Sequence, residues 1–174
     1  MIRSTGLRLI QGTILVSVFA ISTVAGAMGS AVGTSAEMVV VHKTERTLSL
    51  VREGRVVKTY RIALGANPVG AKASSGDGRT PEGRYVIDRR NSNSRFHRSL
   101  HISYPGPDDQ RRARARGVAP GGDIMVHGLP HGAEWIGPVH SRWDWTRGCI
   151  AVTNAEMDEI WDAVPDGTPI VIEP

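Results

Sequence analysis

Apolar and polar residues alternate over several short stretches of the chain, and this period of two is typical of half-buried β-strands. Glu53-Gly54 separates two of the stretches, which predicts a hairpin there. Eight stretches carry either the alternation or a short apolar run and are predicted to be strands: 38–41, 47–51, 56–64, 84–88, 99–104, 123–126, 150–152 and 170–172.

Two segments carry helix signals instead. Asp108–Arg116 begins with acidic residues and ends with basic ones, an order that the helix dipole favours. Thr153 and Glu156 have the spacing of a capping box, and the next apolar residues fall on one helix face: Met157, Ile160, Trp161 and Val164. Polar or glycine-rich segments predict irregular structure at 65–78, 91–98 and 129–145. The predicted fold class is mostly β with two short helices (α+β).

The N-terminus has the pattern of a targeting segment. Arg3 and Arg8 precede or enter an apolar stretch, and Ala25-Gly26-Ala27 resembles a signal peptidase site. We expect residues 1–27 to be a signal peptide, with an uncleaved membrane anchor as the alternative. Residues 28–37 are then a linker, and residues 38–174 form the folded domain. The protein is expected to be exported to the periplasm or cell envelope, with membrane contact only if the segment stays uncleaved.

Composition limits the classes of partner. The 174 residues are 40% hydrophobic and 22% charged, which suits one globular domain. The formal net charge is +4 and falls to +2 without Arg3 and Arg8, so the basic character does not indicate a nucleic-acid partner. We expect a monomer that binds no nucleic acid.

Cys149 is the only cysteine of the chain. Exported proteins usually use cysteines in disulfide pairs, so a single one is either a buried apolar side chain or a reactive thiol. An imidazole such as His127 can take the thiol proton, and backbone N–H groups at Gly148 and Cys149 could face an oxyanion. His127 lies 22 residues before Cys149, and this spacing alone does not place the two together. Both interpretations of the cysteine therefore stay open.

Two motifs carry a resemblance to a known family. Ile124-Met125-Val126-His127-Gly128 and Thr146-Arg147-Gly148-Cys149-Ile150 resemble the two-part signature of the L,D-transpeptidase (YkuD-type) family. Thr80-Pro81-Glu82-Gly83 resembles a turn that often precedes that signature. The stretches 91–105, 121–128 and 144–154 resemble the YafK-like branch. The similarity extends from about Val39 to Ile172.

The resemblance implies a β-sandwich-like catalytic domain without a metal or organic cofactor. It implies that Cys149 is the nucleophile, that His127 is its base and that the Gly128 carbonyl orients the imidazole. Gly148 and Cys149 would supply the oxyanion hole. Residues implied to shape the pocket or to contact substrate are Thr146, Arg147, Arg95, His97, Tyr104 and Trp143. Arg147 stands where many members have histidine, and an arginine there can pair with a substrate carboxylate.

The function implied by the resemblance is that of an exported L,D-transpeptidase. Its thiolate would attack peptidoglycan stem peptides, form a thioester on Cys149 and pass the acyl group to an amine, as in a 3→3 cross-link. One alternative is a cysteine hydrolase of the same fold, either an L,D-carboxypeptidase or a peptidoglycan-peptide amidase. Another is a non-catalytic peptidoglycan-binding module, which would not need the thiol.

Overall fold

The predicted alternation appears as eight strands in the part of the chain that the computed structural model describes, which is Met1 and residues 35–174. The predicted signal segment and most of the linker lie outside the described residues. In chain order the elements are β1 Met38–His42, β2 Thr47–Arg52, β3 Arg55–Arg61, β4 Gly83–Ser94, β5 His97–Ile102, α1 Pro107–Ala115, β6 Met125–His127, a 3-10 helix Glu134–Arg142, β7 Ile150–Ala151, α2 Asn154–Ala163 and β8 Pro169–Glu173.

The strands form one mixed sheet in the order β3-β2-β1-β8-β4-β5-β6-β7. The long strand β4 joins its two halves, since Gly83–Val86 pairs with β8 and the rest of β4 pairs with β5. The β1–β8 and β6–β7 pairs are parallel, and the other pairs are antiparallel. The predicted mostly-β, α+β fold class is confirmed.

Helix α2 packs its predicted apolar face against the sheet. Met157, Ile160 and Val164 are buried, and Trp161 packs against the same core while partly exposed. The predicted capping box is present, because the Thr153 hydroxyl accepts from the Glu156 N–H and the Glu156 carboxylate accepts from the Thr153 N–H. This cap begins the helix just after β7, so the first turn of α2 lies beside the end of the sheet that carries β6 and β7.

Two predicted loops contain regular structure. Residues 91–94 continue β4, since their backbone pairs with β5 through register shifts. Their polar side chains stay largely exposed. The segment 129–145 contains the 3-10 helix, which is interrupted at Gly137 by a positive φ of 51°. Period-two and 3.6-residue patterns do not detect either feature, since neither buries a continuous apolar face.

The packing of the described residues includes positions before the predicted domain boundary. Ala36 is buried, and its N–H donates to the Ala163 carbonyl at 2.7 Å. Packing therefore extends two residues into the segment predicted to be a linker. Among the described residues, no helix combines the length and apolar character required to cross a membrane.

Candidate active site

The parallel pairing of β6 and β7 brings His127 and Cys149 to the same face of the sheet. His127 is the register partner of Ala151, and Val126 is the partner of Ile150. Because side chains alternate along a strand, Cys149 points to the same side as Ala151, and His127 shares that side. Both side chains line one open cavity of about 550 Å³.

The loop before Cys149 depends on a glycine. Gly148 has a φ of 128°, and a Cβ there would lie 2.6 Å from the Arg79 carbonyl oxygen. The Gly148 N–H donates to Thr146 Oγ1 at 3.0 Å, and the Thr146 hydroxyl donates to the Cys149 carbonyl at 2.7 Å. This contact differs from the expectation that the Gly148 N–H faces an oxyanion, because the buried threonine side chain already occupies that donor.

Asp144 holds the same loop to the neighbouring part of the fold. Its carboxylate accepts from the Leu64 N–H at 2.8 Å and from both Nε and Nη2 of Arg46. The Thr146 N–H in turn donates to the Leu64 carbonyl at 3.0 Å. The backbone that leads to Cys149 is therefore anchored on both sides of Trp145.

The tautomer of His127 is determined by its neighbour. His127 Nδ1 lies 2.7 Å from the Gly128 carbonyl oxygen, and a carbonyl only accepts, so Nδ1 carries the proton. Nε2 of the neutral ring is then left as an acceptor. Glycine is required at position 128 for a separate reason, because a Cβ there would lie 2.6 Å from Asn154 Oδ1.

Burial keeps the imidazole of His127 neutral. Its side chain packs against Phe96, with ring centroids 4.5 Å apart, and against the edge of Trp145 at 5.8 Å. Loss of solvation lowers the pKa of His127 to about 4, and the neighbouring His140 acts in the same direction, whereas the bond to the Gly128 carbonyl opposes them. A neutral ring is the form that a general base requires.

Acid is expected to destabilise the protein through His127. The unfolded imidazole has a pKa near 6.5 and the folded one about 4, so the unfolded chain binds the extra proton first as the pH falls. The free energy of unfolding keeps its full value above pH 6.5. It falls as the pH drops from 6.5 towards 4, by up to about 3 kcal/mol in all. Urea unfolding of wild type and His127→Asn at pH 7 and pH 4.5 measures it. Equal losses of unfolding free energy in the two proteins would contradict the assignment.

Cys149 rests as a neutral thiol. Burial raises its pKa, and Asp123 adds to this effect, while a backbone hydrogen bond from Met125 and the charge of Lys72 lower it. The sulfur lies 3.6 Å from the Asp123 carbonyl, which accepts from the thiol. Formation of a thiolate therefore needs a base beside it.

The cavity includes some of the residues that the resemblance singled out. Arg95, Thr146 and Arg147 line it together with His127 and Cys149. The arginine side chains come from the turn between β4 and β5 and from the loop before Cys149, respectively. Both arginines are exposed, so the open side of the cavity has two cationic groups.

Three of the predicted contact residues lie elsewhere. Tyr104 is buried in the core, and its hydroxyl donates to the Pro120 carbonyl at 3.0 Å, because it continues the inward face of β5. His97 Nε2 lies 2.7 Å from Asp158 Oδ1. Trp143 is exposed and lines a separate cavity of about 80 Å³. The structure does not bring these three side chains to the cavity of Cys149.

Phe96 and Asp123 are cavity residues that the sequence analysis missed. Phe96 is the only aromatic residue in the polar segment 91–98, and that isolation is a signal that could have drawn attention to it. Asp123 lies two residues before β6 and had no distinguishing pattern. In the described part of the chain, no group of three or more His, Cys, Asp or Glu side chains is arranged to hold an ion.

The domain can also be compared with known proteins. A family model described as the L,D-transpeptidase catalytic domain, YkuD, matches residues 36–172. The chain belongs to this YkuD-type L,D-transpeptidase family. The resemblance carried by the His127 and Cys149 motifs is confirmed, and so is the expected catalytic-domain fold.

Curated relatives of the YkuD-type family match over most of this chain. It is 31% identical over 130 residues to "Putative L,D-transpeptidase YafK" of Escherichia coli (strain K12), which covers 71% of this chain and 45% of that protein. It is 28% identical over 138 residues to "Putative L,D-transpeptidase YqjB" of Bacillus subtilis (strain 168). This match covers 77% of this chain and 69% of YqjB. The chain thus spans less than half the length of YafK.

Solved structures of similar proteins share the fold of this domain. The helical cell shape determining protein Pgp2 of Campylobacter jejuni superposes with a TM-score of 0.61 at 26% identity, over 79% of this chain and 47% of Pgp2. An L,D-transpeptidase from Mycobacterium smegmatis superposes with a TM-score of 0.52 at 15% identity, over 80% of this chain and 59% of that one. The latter comparison supports the shared fold alone.

Proposed function

We propose that the protein is an exported, cysteine-dependent L,D-transpeptidase that acts on peptidoglycan stem peptides. The observation that carries the proposal is the neutral His127, held by the Gly128 carbonyl, in the same cavity as Cys149. This arrangement leaves Nε2 as an acceptor in the cavity that also holds the thiol of Cys149, whose pKa burial raises. The family assignment supplies the class of substrate.

The first half of the reaction forms a thioester. His127 Nε2 takes the proton of Cys149 Sγ, and the thiolate attacks the carbonyl carbon at the L-centre of the third stem residue. The Cys149 N–H is the oxyanion donor, because the Gly148 N–H is bound to Thr146. Collapse of the tetrahedral intermediate breaks the peptide bond, and the imidazolium returns the proton to the leaving amine of D-alanine.

The second half transfers the acyl group. An amine from another stem attacks the thioester carbonyl and loses a proton to His127 Nε2. The thiolate then leaves and recovers its proton from the imidazolium, which restores the resting pair. Water in place of the amine gives L,D-carboxypeptidase activity from the same intermediate.

Arg95 and Arg147 are proposed to bind the carboxylates of the stem peptide. Both guanidinium groups are exposed at the cavity of Cys149, and within residues 35–174 neither has an acidic side chain as an ion-pair partner. Guanidinium groups form bidentate hydrogen bonds with carboxylates.

The N-terminal segment 1–27 is proposed to export the enzyme to the periplasm or cell envelope, where this substrate lies.

Mass spectrometry of purified disaccharide-tetrapeptides incubated with residues 28–174 tests the function. We expect dimers linked between third residues, with loss of one D-alanine per link. Loss of D-alanine without dimers would assign the hydrolase alternative instead. Tetrapeptides and intact sacculi that both stay unchanged would contradict the proposed function.

A further inference from the structure

One peptide group connects the side chain of Asn154 to the ring of His127. The carbonyl oxygen of Gly128 accepts from His127 Nδ1–H at 2.7 Å. The N–H of Leu129, which belongs to the same peptide group, donates to Asn154 Oδ1, also at 2.7 Å. Hydrogen bonds in series polarise one another, so an acceptor on the N–H makes the carbonyl a stronger acceptor.

We propose that Asn154 is a positioning residue that acts on His127 through the Gly128–Leu129 peptide group. It orients this group and increases the negative charge on the carbonyl oxygen that holds the imidazole. The proposal rests on the part of the proposed function that makes His127 the base of Cys149. It does not depend on the identity of the substrate.

The surroundings leave this peptide group little freedom to rotate. The Gly128 N–H donates to the Phe96 carbonyl at 3.1 Å and to the Arg98 carbonyl at 3.3 Å, which anchors the preceding peptide. The absence of a side chain at Gly128 lets Asn154 Oδ1 approach closely. Asn154 is itself the first residue of α2, directly after the capping residue Thr153, so its backbone is fixed.

The chemical consequence concerns the charged form of the pair. When the proton of Cys149 Sγ moves to His127 Nε2, the ring becomes an imidazolium, and its Nδ1–H bond to Gly128 becomes charge-assisted. A more polarised carbonyl stabilises this form more than the neutral one. Asn154 therefore favours the thiolate–imidazolium pair, and its loss reduces the fraction of reactive thiolate at neutral pH.

Alkylation by iodoacetamide measures that fraction without any peptidoglycan. The thiolate displaces iodide and forms a thioether, and the proton held by His127 passes to solvent. Since Cys149 is the only cysteine, the rate reports one site. The titratable and charged groups that face the pair are His140 beside His127, Asp123 and Lys72 beside Cys149, and Arg95 and Arg147 on the cavity wall; all five stay unchanged in the variants.

Three variants separate positioning from helix stability. Asn154→Ala is expected to lower the alkylation rate at pH 7 about 10-fold, in the range typical of residues that orient a functional side chain through a hydrogen bond, and to move the pH profile upward. Asn154→Asp keeps an acceptor in the same place and is expected to stay within about 3-fold of wild type. Thr153→Ala removes the helix cap without touching Leu129, so it should lower the melting temperature and leave the rate unchanged.

Three results would overturn the proposal. A wild-type rate and pH profile in Asn154→Ala would show that the amide does not act on the pair. Equal losses in Asn154→Ala and Asn154→Asp would show that the acceptor is not what matters, and an equal loss in Thr153→Ala would assign the effect to the helix. Inactivity on peptidoglycan with the expected alkylation pattern would overturn the proposed function alone.

Discussion

Cys149→Ala is expected to lower the formation of cross-linked dimers and the release of D-alanine by at least about 10³-fold. Removing the nucleophile eliminates the thioester route, and what remains is binding and an oxyanion donor without an attacking atom. The chain has no second thiol that could substitute for it. The measurement is the rate of product formation from disaccharide-tetrapeptides, followed by mass spectrometry.

Cys149→Ser is the matched control for shape. The hydroxyl nearly reproduces the size of the thiol, but it ionises far less readily, so we expect a loss of at least about 10²-fold with this variant too. Thermal unfolding of both variants should stay near that of wild type, because the Cys149 side chain lies at the cavity wall and is not enclosed in the core. Dimers or free D-alanine produced by Cys149→Ala at the wild-type rate would refute the mechanism.

His127→Asn is expected to lower kcat by about 10²- to 10⁴-fold, the usual contribution of a general base. The asparagine amide can still donate to the Gly128 carbonyl in place of Nδ1, but it supplies no nitrogen at the position of Nε2. The proposed substrate contacts from Arg95 and Arg147 remain, so KM should change much less than kcat. Steady-state kinetics with the tetrapeptide distinguishes the two parameters.

His42→Asn provides the control for a histidine outside the cavity. His42 lies on β1, is partly exposed and pairs with Glu173. Its replacement is expected to leave both kcat and KM unchanged. An activity of His127→Asn close to that of His42→Asn would mean that another group removes the thiol proton.

Local patterns determined most of the fold before the structure was known. Strands β1 and β8 and helix α2 are predicted because each buries one face, and burial leaves a period in the sequence. The capping box at Thr153 was readable for the same reason, since its two hydrogen bonds join residues only three positions apart. The 3-10 helix 134–142 and the end of β4 escaped prediction because they bury no continuous face.

The sequence by itself also determined the chemistry that this family can perform. A single cysteine after Thr146-Arg147-Gly148 and a histidine before Gly128 were enough to identify the YkuD-type signature, which the family model confirms. These motifs contain the proposed nucleophile and its proposed base. They do not say how far apart the two lie, because 22 residues separate them along the chain.

Tertiary structure decided the arrangement of the site. The parallel register of β6 and β7 places His127 and Cys149 on one face, and the start of α2 brings Asn154 to the peptide group that holds the imidazole. The same folding encloses Tyr104 in the core. Each of these outcomes depends on hydrogen bonds or packing between segments that are far apart along the chain. Such contacts leave no period in the local sequence.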